Sequence, residues 1–184
     1  MSTKPRAVFC DRDGVINLDL GYVHKWEHFE FYPGVPQALS KLKENGWLLV
    51  LVTNQSGIAR GFFDEQDFHC LTAKMQESLK ENRAHFDAIY FCPHLPHGVV
   101  PVFSRTCRCR KPGPGMFERA KLDLGLDMTA SVCIGDKPTD IEAARAAGIT
   151  RTYGVGTPEC FNEYSPDFQF NEPVAALEAI ARLK

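Results

Sequence analysis

The feature that most constrains the fold is a regular alternation of short apolar runs with segments whose apolar residues recur at helical spacing. Apolar runs occupy residues 7–10, 47–52, 86–91 and 132–134, and Val35, Ala38, Leu39 and Leu42 exemplify the helical spacing between them. Continuous apolar runs are typical of strands buried on both faces, and strands that alternate with helices form a parallel sheet between two helical layers. With further short strands near 152–155 and 168–170, the sequence predicts a three-layer, Rossmann-like α/β fold with a mostly parallel sheet.

The chain length and the element boundaries support one domain. The 184 residues fit a single domain well and two domains poorly, so we expect one domain over residues 1–184. Asn45-Gly46, Gly125 and Gly148 supply helix ends, and Asp64 is a candidate N-cap for the helix that carries Phe68. A last helix begins near residue 174.

Polar residues directly follow four of the predicted strands. These residues are Asp11, Thr53, Cys92 and Asp136. In open parallel sheets, ligands bind beyond the carboxyl ends of the strands, so these side chains should converge at one edge of the sheet.

The first two polar clusters suit phosphoryl chemistry. In Asp11-Arg12-Asp13-Gly14, one carboxylate can attack phosphorus while the other handles a proton. In the segment that begins at Thr53, a hydroxyl and backbone N–H groups at a strand-to-helix turn can hold a phosphate. Each cluster alone is equally consistent with a polar surface turn.

The last two clusters supply charge. Lys111 could neutralise a nucleophile and a transferring phosphoryl group, although an Arg-Lys pair is usually solvated surface. Asp136 would add an acid to an already acidic site, and hard cations such as magnesium require such oxygen ligands. Asp136 or Asp140 could instead cap a helix. Taken together, the four clusters favour a magnesium-dependent phosphatase.

The order of these clusters resembles the four signature motifs of the haloacid dehalogenase (HAD) superfamily of phosphotransferases. The resemblance covers nearly the whole chain and implies a HAD-like fold. It implies that Asp11 is the nucleophile that becomes phosphorylated and that Asp13 is the general acid and base. It further implies that Thr53 and Lys111 stabilise the phosphoryl group, and that magnesium is bound by Asp11, by the backbone carbonyl of Asp13 and by Asp136, with Asp140 behind them.

Six of the seven cysteines fall into two groups, and Cys160 belongs to neither. We expect Cys10, Cys70 and Cys133 to be core residues, because they lie among apolar residues. Four residues of a Pro- and Gly-bearing stretch suit a closed tetrahedral zinc site that would order residues 92–109 and position Lys111: Cys92, His94, Cys107 and Cys109. Four unrelated reduced side chains remain an alternative, and His97 is a competing ligand, although Cys92 and His94 are the pair that the family pattern matches.

The spacing of the motifs leaves no room for a large cap domain, so we expect an open site. The stretch from Cys92 to Pro96 is similar to that of histidinol-phosphate phosphatases, whose zinc loop is shorter. Residues 21–24, 54–61 and 110–116 together resemble the family of D-glycero-D-manno-heptose-1,7-bisphosphate 7-phosphatases. That resemblance implies release of the 7-phosphate through an aspartyl phosphate, in the supply of nucleotide-activated heptose for lipopolysaccharide core or S-layer glycan.

The substrate implied by this resemblance is a small phosphorylated sugar with two phosphates. Arg110 is the first candidate for the second phosphate, because a guanidinium can bind phosphate in bidentate fashion. Arg60 and Arg108 lie near the predicted site but could equally be solvated surface. The candidate substrate-binding residues are Asp19, Leu20, Gly21, Tyr22, Asn54, Gln55, Ser56, Arg110 and Lys137.

Two other classes of function were weighed against this one. An open phosphatase site could accept a nucleic-acid 3′-phosphate, but the net charge is −2 and no long basic stripe is present. A catalytically silent, zinc-ordered binding module would need no acid–base partner such as Asp13. The sequence contains no apolar run of about 18 residues and no signal-peptide pattern, so we expect a cytoplasmic protein without membrane or nucleic-acid partners. The family resemblance implies a monomer.

Overall fold

The computed structural model describes residues 4–161 and 164–183, which form one six-stranded sheet flanked by helices. The strands are β1 (Ala7–Cys10), β2 (Leu48–Asn54), β3 (Ala88–Cys92), β4 (Val132–Gly135), β5 (Arg151–Val155) and β6 (Phe168–Phe170). The helices are α1 (Val35–Glu44), α2 (Glu65–Glu81), α3 (Gly115–Leu124), α4 (Pro138–Ala146) and α5 (Pro173–Ala181). Short 3₁₀ turns span Trp26–His28, Pro101–Phe103 and Pro158–Cys160.

The strand order places a crevice at the centre of the sheet. The order is β3-β2-β1-β4-β5-β6, and each neighbouring pair is parallel. The chain winds outward from β1 to β3 and then returns to the far side of β1 to begin β4. Ligand sites form where the winding direction reverses, so the carboxyl ends of β1 and β4 mark the expected site.

Two apolar layers pack against the two faces of the sheet. Val8 and Cys10 of β1 face the layer that contains α1 and α5. Phe9 faces the opposite layer, where α3 and α4 pack, and its ring lies 4.9 Å from that of Phe117. Successive strand residues point to opposite faces, which explains why β1 is buried along its whole length. The predicted three-layer α/β architecture is confirmed.

The helix signals read from the sequence also hold at the ends of α2 and α3. Asp64 accepts a hydrogen bond from the Asp67 N–H at 2.9 Å and completes a capping box with it. Gly125 ends α3 in the left-handed region, with φ of 64°. The core prediction for Cys70 was wrong, because α2 buries Phe68 and Leu71 and turns the intervening residues toward solvent.

Two long connections bring residues to the crevice. The segment between β1 and α1 contains only the short turn Trp26–His28 and two isolated bridges made by Asn17, to Asp13 and to Phe31. The segment between β3 and α3 contains only the turn Pro101–Phe103. Within the described ranges, no helix is long and apolar enough to cross a membrane.

Asp167 provides a test of how the outer strands are held. Its carboxylate accepts hydrogen bonds from the N–H and the hydroxyl of buried Thr152, at 2.7 and 2.6 Å. Burial alone would raise the pKa of Asp167, but these bonds and Arg145 lower it below its usual value. A lowered pKa means that the stabilisation is complete above the unfolded-state pKa and disappears as the pH falls through the folded-state pKa.

We therefore expect Asp167→Ala to lower the free energy of unfolding by about 1–3 kcal/mol at pH 7, because it leaves donors on Thr152 unpaired. The difference from the wild type should shrink as the pH falls below about 4. Urea unfolding at several pH values measures this. A difference in unfolding free energy that stays constant as the pH falls below about 4 would contradict the role assigned to the ionised Asp167 carboxylate.

Candidate active site and metal centre

A buried lysine lies at the centre of the crevice. Lys111 is only 3% exposed, and its ammonium donates to the backbone carbonyl of Val52 at 2.8 Å. The same Nζ forms ion pairs with Asp11 at 3.0 Å and with Asp140 at 2.6 Å. Asp11 follows β1, Asp140 lies in α4, and Lys111 comes from the loop before α3. The fold therefore brings together three charges that are far apart in the sequence.

The electrostatics of this triad favour a charged lysine. Burial lowers the pKa of Lys111, but Asp11 and Asp140 outweigh burial and hold the pKa above its ordinary value. Burial raises the pKa of Asp11, while the neighbouring Lys111 lowers it and Asp140 raises it further. A buried acidic site of this kind is stabilised by added positive charge.

The acidic residues fit a hard divalent cation. Oxygens of Asp11, Asp136 and Asp140 lie within 4.8 Å of one another. Oδ1 of Asp136 is buried and has no hydrogen-bond partner among the described residues. Burial, then Asp11 and Asp140, raise the pKa of Asp136 to about 8. Carboxylate oxygens are the donors that magnesium prefers, and an unpaired buried oxygen is explained if a cation binds it.

A glycine makes this arrangement possible. Gly14 has φ of 88°, and a Cβ built on it would lie 2.4 Å from Oδ2 of Asp136. Any larger residue would push into the acidic site and would also be strained at this φ. The sequence Asp11-Arg12-Asp13-Gly14 therefore ends in glycine for a steric reason.

The predicted general acid, Asp13, is surrounded by N–H donors. Arg12 forms a bidentate contact with its carboxylate, with N···O distances of 3.0 to 3.2 Å. The side-chain amides of Asn17 and Gln55 donate to the same carboxylate at 3.0 and 3.1 Å. Neither Arg12 nor Asn17 was expected at the site from the sequence. Arg and Asn are both common in surface turns, so nothing in the sequence marked these two residues as functional.

The carboxyl end of β2 holds Lys111 as well as the predicted phosphate site. Asn54 donates from Nδ2 to the Lys111 carbonyl at 3.0 Å and accepts from the Lys111 N–H at 3.1 Å. This two-point contact fixes the backbone of Lys111. Thr53 is buried, and its hydroxyl oxygen accepts from Gln55 at 2.9 Å.

A cavity of about 490 Å³ opens above these groups. Most of the predicted substrate-binding residues line it: Asp19, Gly21, Tyr22, Asn54, Gln55, Ser56, Arg110 and Lys137. Asp13 and Lys111 also line it. Leu20 is outside the lining set and is 63% exposed. Lys137 pairs with Asp19 at 3.3 Å, so the cationic and anionic walls of the cavity are in contact.

The three arginines near the site differ in their surroundings. Arg110 lines the cavity, and its Nη1 donates to the His94 carbonyl at 3.2 Å. Arg60 lies with its guanidinium carbon 5.8 Å from the ring centre of Tyr22. Arg108 forms an exposed ion pair with Glu118 at 2.6 Å and does not line the cavity.

Four sulfur and nitrogen donors form a second candidate metal centre. The cluster comprises the residues predicted from the sequence: Cys92, His94, Cys107 and Cys109. The three sulfurs lie 3.2 to 3.5 Å apart, and Nδ1 of His94 lies 3.4 and 3.6 Å from two of them. Three thiols and one imidazole converging in this way fit a tetrahedral zinc ion. His97, the competing ligand, is outside the cluster.

The cysteine cluster is connected to the crevice through the backbone. The Cys92 carbonyl accepts from the Gln55 N–H at 2.8 Å, and the His94 carbonyl accepts from Arg110. Ordering this loop would therefore order residues that line the cavity.

Comparisons with known proteins agree with this geometry. Residues 108–167 match the family model described as HAD-hydrolase-like. A D-glycero-β-D-manno-heptose-1,7-bisphosphate 7-phosphatase from Yersinia pestis is 53% identical over 81% of this chain and 79% of its own. The protein of that name from Escherichia coli K12 is 48% identical over 88% of this chain and 87% of its own.

A solved structure shows the same architecture. The D,D-heptose 1,7-bisphosphate phosphatase from B. bronchiseptica, complexed with magnesium and phosphate, superposes with a TM-score of 0.84. It is 31% identical in sequence, and the match covers 95% of this chain and 97% of that one.

The parallel sheet, the acidic crevice with its buried lysine and these relatives define a phosphoric monoester hydrolase of the HAD superfamily. Within that superfamily, the chain belongs to the family of D-glycero-β-D-manno-heptose-1,7-bisphosphate 7-phosphatases. The resemblance read from the sequence motifs is confirmed.

The cysteine cluster can be tested by metal analysis. We expect about one zinc per chain in the purified protein, and Cys109→Ser should lower both the zinc content and the thermal midpoint, because metal binding contributes to folding. Cys70→Ser, on the exposed face of α2, is the matched control and should change neither. Equal zinc content in Cys109→Ser and the wild type would show that these four residues do not form the site.

Proposed function

We propose that this protein is a magnesium-dependent phosphatase that removes the 7-phosphate of D-glycero-β-D-manno-heptose 1,7-bisphosphate through an aspartyl phosphate on Asp11. One observation carries the proposal: Asp11 is in ion-pair contact with buried Lys111, which lines a cavity together with Arg110 and Lys137. The choice of sugar and of the β anomer rests on the family, because the relatives are named as phosphatases of D-glycero-β-D-manno-heptose 1,7-bisphosphate.

The reaction takes place in two displacements. A carboxylate oxygen of Asp11 attacks phosphorus, the bond between phosphorus and the sugar O7 breaks, and O7 takes a proton from Asp13. Water then attacks the phosphorus of the aspartyl phosphate and gives a proton to Asp13, and inorganic phosphate leaves as Asp11 is restored. Dividing a slow reaction into two steps with a positioned acid and base lowers each barrier.

Positive charge is the second requirement. Lys111 and the hydroxyl of Thr53 hold the non-bridging phosphoryl oxygens, on which negative charge accumulates. Magnesium, which Asp11, Asp136 and the backbone carbonyl of Asp13 would hold, neutralises the phosphate and the acidic residues when bound. Asp140 keeps Lys111 charged and in place.

The cavity suits a sugar with a second phosphate. Its volume of about 490 Å³ is within the usual range for small-molecule sites. Arg110 and Lys137 offer two cations for the anomeric phosphate, and Asp19, Gly21 and Tyr22 line the cavity where they would contact the sugar hydroxyls. The cysteine cluster supports Arg110 through the His94 carbonyl.

Histidinol phosphate, the other candidate substrate, fits this cavity less well. It carries one phosphate and an amine that is positively charged at neutral pH. Once its phosphate occupies the site beside Lys111, the amine would face Arg110 and Lys137, and like charges repel. The same two cations favour the heptose bisphosphate.

The reaction product fits a biosynthetic role. Removal of the 7-phosphate leaves the anomeric phosphate, which is the group that nucleotide activation of a sugar requires. We place this step in the supply of activated heptose for cell-surface polysaccharide. The cytoplasm is the proposed location, because the cysteine cluster binds metal only while its thiols stay reduced.

The proposal is tested by phosphate release from the heptose bisphosphate and from histidinol phosphate, side by side with magnesium. We expect kcat/KM for the bisphosphate to be higher by at least about 100-fold, with one phosphate released per sugar. A preference for histidinol phosphate would keep the mechanism and overturn the substrate.

Two neighbouring arginines provide the matched control. Arg110→Ala should lower kcat/KM for the bisphosphate by about 10–100-fold, since charged hydrogen bonds contribute about 1.5–3 kcal/mol. Arg108→Ala, whose side chain pairs with Glu118 outside the cavity, should leave kcat/KM unchanged. Equal losses in the two variants would remove Arg110 from the role of second-phosphate ligand.

A further inference from the structure

Arg12 is a buried charged group next to the predicted general acid Asp13, and the reaction scheme does not use it. Its side chain is 1% exposed, so its charge is almost completely withdrawn from water. Burying a charge costs free energy unless the charge is paired, so the groups that pair with the Arg12 guanidinium indicate its role. Arg12 does not line the cavity, so it is not a candidate for direct contact with substrate.

The guanidinium of Arg12 contacts two different parts of the site. Nε and Nη2 donate to the carboxylate of Asp13 at 3.0 to 3.2 Å. The same Nη2 donates to the backbone carbonyl of Val23 at 2.6 Å. Val23 is buried and directly follows Tyr22, which lines the cavity. One side chain therefore joins the predicted general acid and base to the end of the loop that faces the sugar.

The Asp13 carboxylate is held from more than one side. Asn17 donates to Oδ1, and Gln55 donates to Oδ2 while also donating to the Thr53 hydroxyl. With Arg12, these groups fix both oxygens, yet Asp13 is still 16% exposed and faces the cavity. Neighbouring side chains thus fix the orientation of the Asp13 carboxylate, which remains accessible from the cavity.

We propose that Arg12 is a positioning residue for proton transfer: it orients Asp13 toward the leaving oxygen and couples that orientation to the sugar-facing loop. This inference rests on the proposed function, in which Asp13 protonates O7 as the bond to phosphorus breaks. Misplacing a catalytic group by about 1 Å can lower a rate by about 100-fold, so the contact has a measurable kinetic consequence.

The chemistry of the side chain explains why this position carries arginine. A guanidinium is planar and presents several N–H groups in a fixed fork, so it can bind a carboxylate in bidentate fashion and a carbonyl at once. Lysine has a single nitrogen on a flexible chain and would hold Asp13 or Val23 less precisely. The guanidinium carbon of Arg12 also lies 5.9 Å from the ring centre of Phe68, within the range of a cation–π contact.

The dependence of rate on the leaving group separates positioning from a merely structural role. An alkyl leaving group such as the sugar O7 needs a proton from Asp13, whereas para-nitrophenolate is stable enough to leave with little protonation. A variant that misplaces Asp13 should therefore slow the sugar phosphate much more than para-nitrophenyl phosphate. A variant that only reduces the folded fraction slows both substrates by the same factor.

The experiment measures single-turnover cleavage of both esters by the wild type, Arg12→Gln, Arg12→Lys, Asp13→Asn and the double variant Arg12→Gln/Asp13→Asn. We expect Arg12→Gln to slow the sugar ester by about 10–100-fold, within the range that general acids contribute, and to change the aryl ester little. Arg12→Lys should cleave the sugar ester at a rate between those of Arg12→Gln and the wild type. In the double variant, Arg12→Gln should add no further loss, because Asp13 no longer transfers a proton.

Equal losses on both esters, or fully additive losses in the double variant, would overturn the role of Arg12. Both rates are measured on the same preparation and depend equally on its folded fraction. Their ratio therefore remains informative for a partly unfolded variant. Failure of the proposed function would show in the wild type alone, as absence of turnover of the heptose bisphosphate. The ratio would then be measured with whichever alkyl monoester the wild type hydrolyses, so the two failures are distinguishable.

Discussion

The ion-pair cluster around Lys111 is the interaction on which the rest of the site depends. Two carboxylates and a carbonyl, from Asp11, Asp140 and Val52, surround one ammonium that water hardly reaches. Without that ammonium, Asp11 and Asp140 would be uncompensated buried charges, which cost several kcal/mol each. In the proposed mechanism, the same ammonium also neutralises a phosphoryl group that approaches Asp11, so one side chain would make both the stabilising and the catalytic contact.

Lys111 does not follow a strand directly, unlike Asp11 and Asp136. Asp11 and Asp136 follow β1 and β4 at the reversal of strand order, whereas Lys111 comes from a long loop. Asn54 fixes the Lys111 backbone at two points, and Gly113 comes so close to the Arg108 carbonyl that a Cβ there would lie 2.4 Å from it. A metal bound by the cysteine cluster would order the residues that precede Lys111, and we propose that it would affect the reaction in this way.

The sequence predicted most of the secondary structure and the elements that form the site. The apolar runs became strands because parallel strands are buried on both faces, and the Asp64 cap and the Gly125 stop are local signals that need no tertiary context. The ligand spacing of the cysteine cluster was also readable, and the geometry excluded the competing His97.

What the sequence did not reveal are contacts that depend on three-dimensional geometry. Asn54 was expected at the substrate and does line the cavity, but its amide also binds the Lys111 backbone, 57 positions away, and the sequence did not indicate that contact. Nothing in the sequence distinguished Arg12 from a surface arginine, and its burial follows from the path of residues 13–23 around it. Cys70 was misjudged because apolar neighbours in sequence do not share one face of a helix.

The proposed mechanism requires that the phosphoryl group is transferred to the Asp11 carboxylate before water attacks it. Rapid quenching in acid during the first turnover can detect this intermediate. Enzyme is mixed with excess heptose bisphosphate and magnesium, quenched during the first turnover, digested and mapped by mass spectrometry. We expect a phosphoryl group on the peptide that contains Asp11, and its absence in inactive Asp11→Asn. Turnover by Asp11→Asn at a rate close to that of the wild type, with no phosphorylated peptide in either protein, would remove Asp11 from the role of nucleophile.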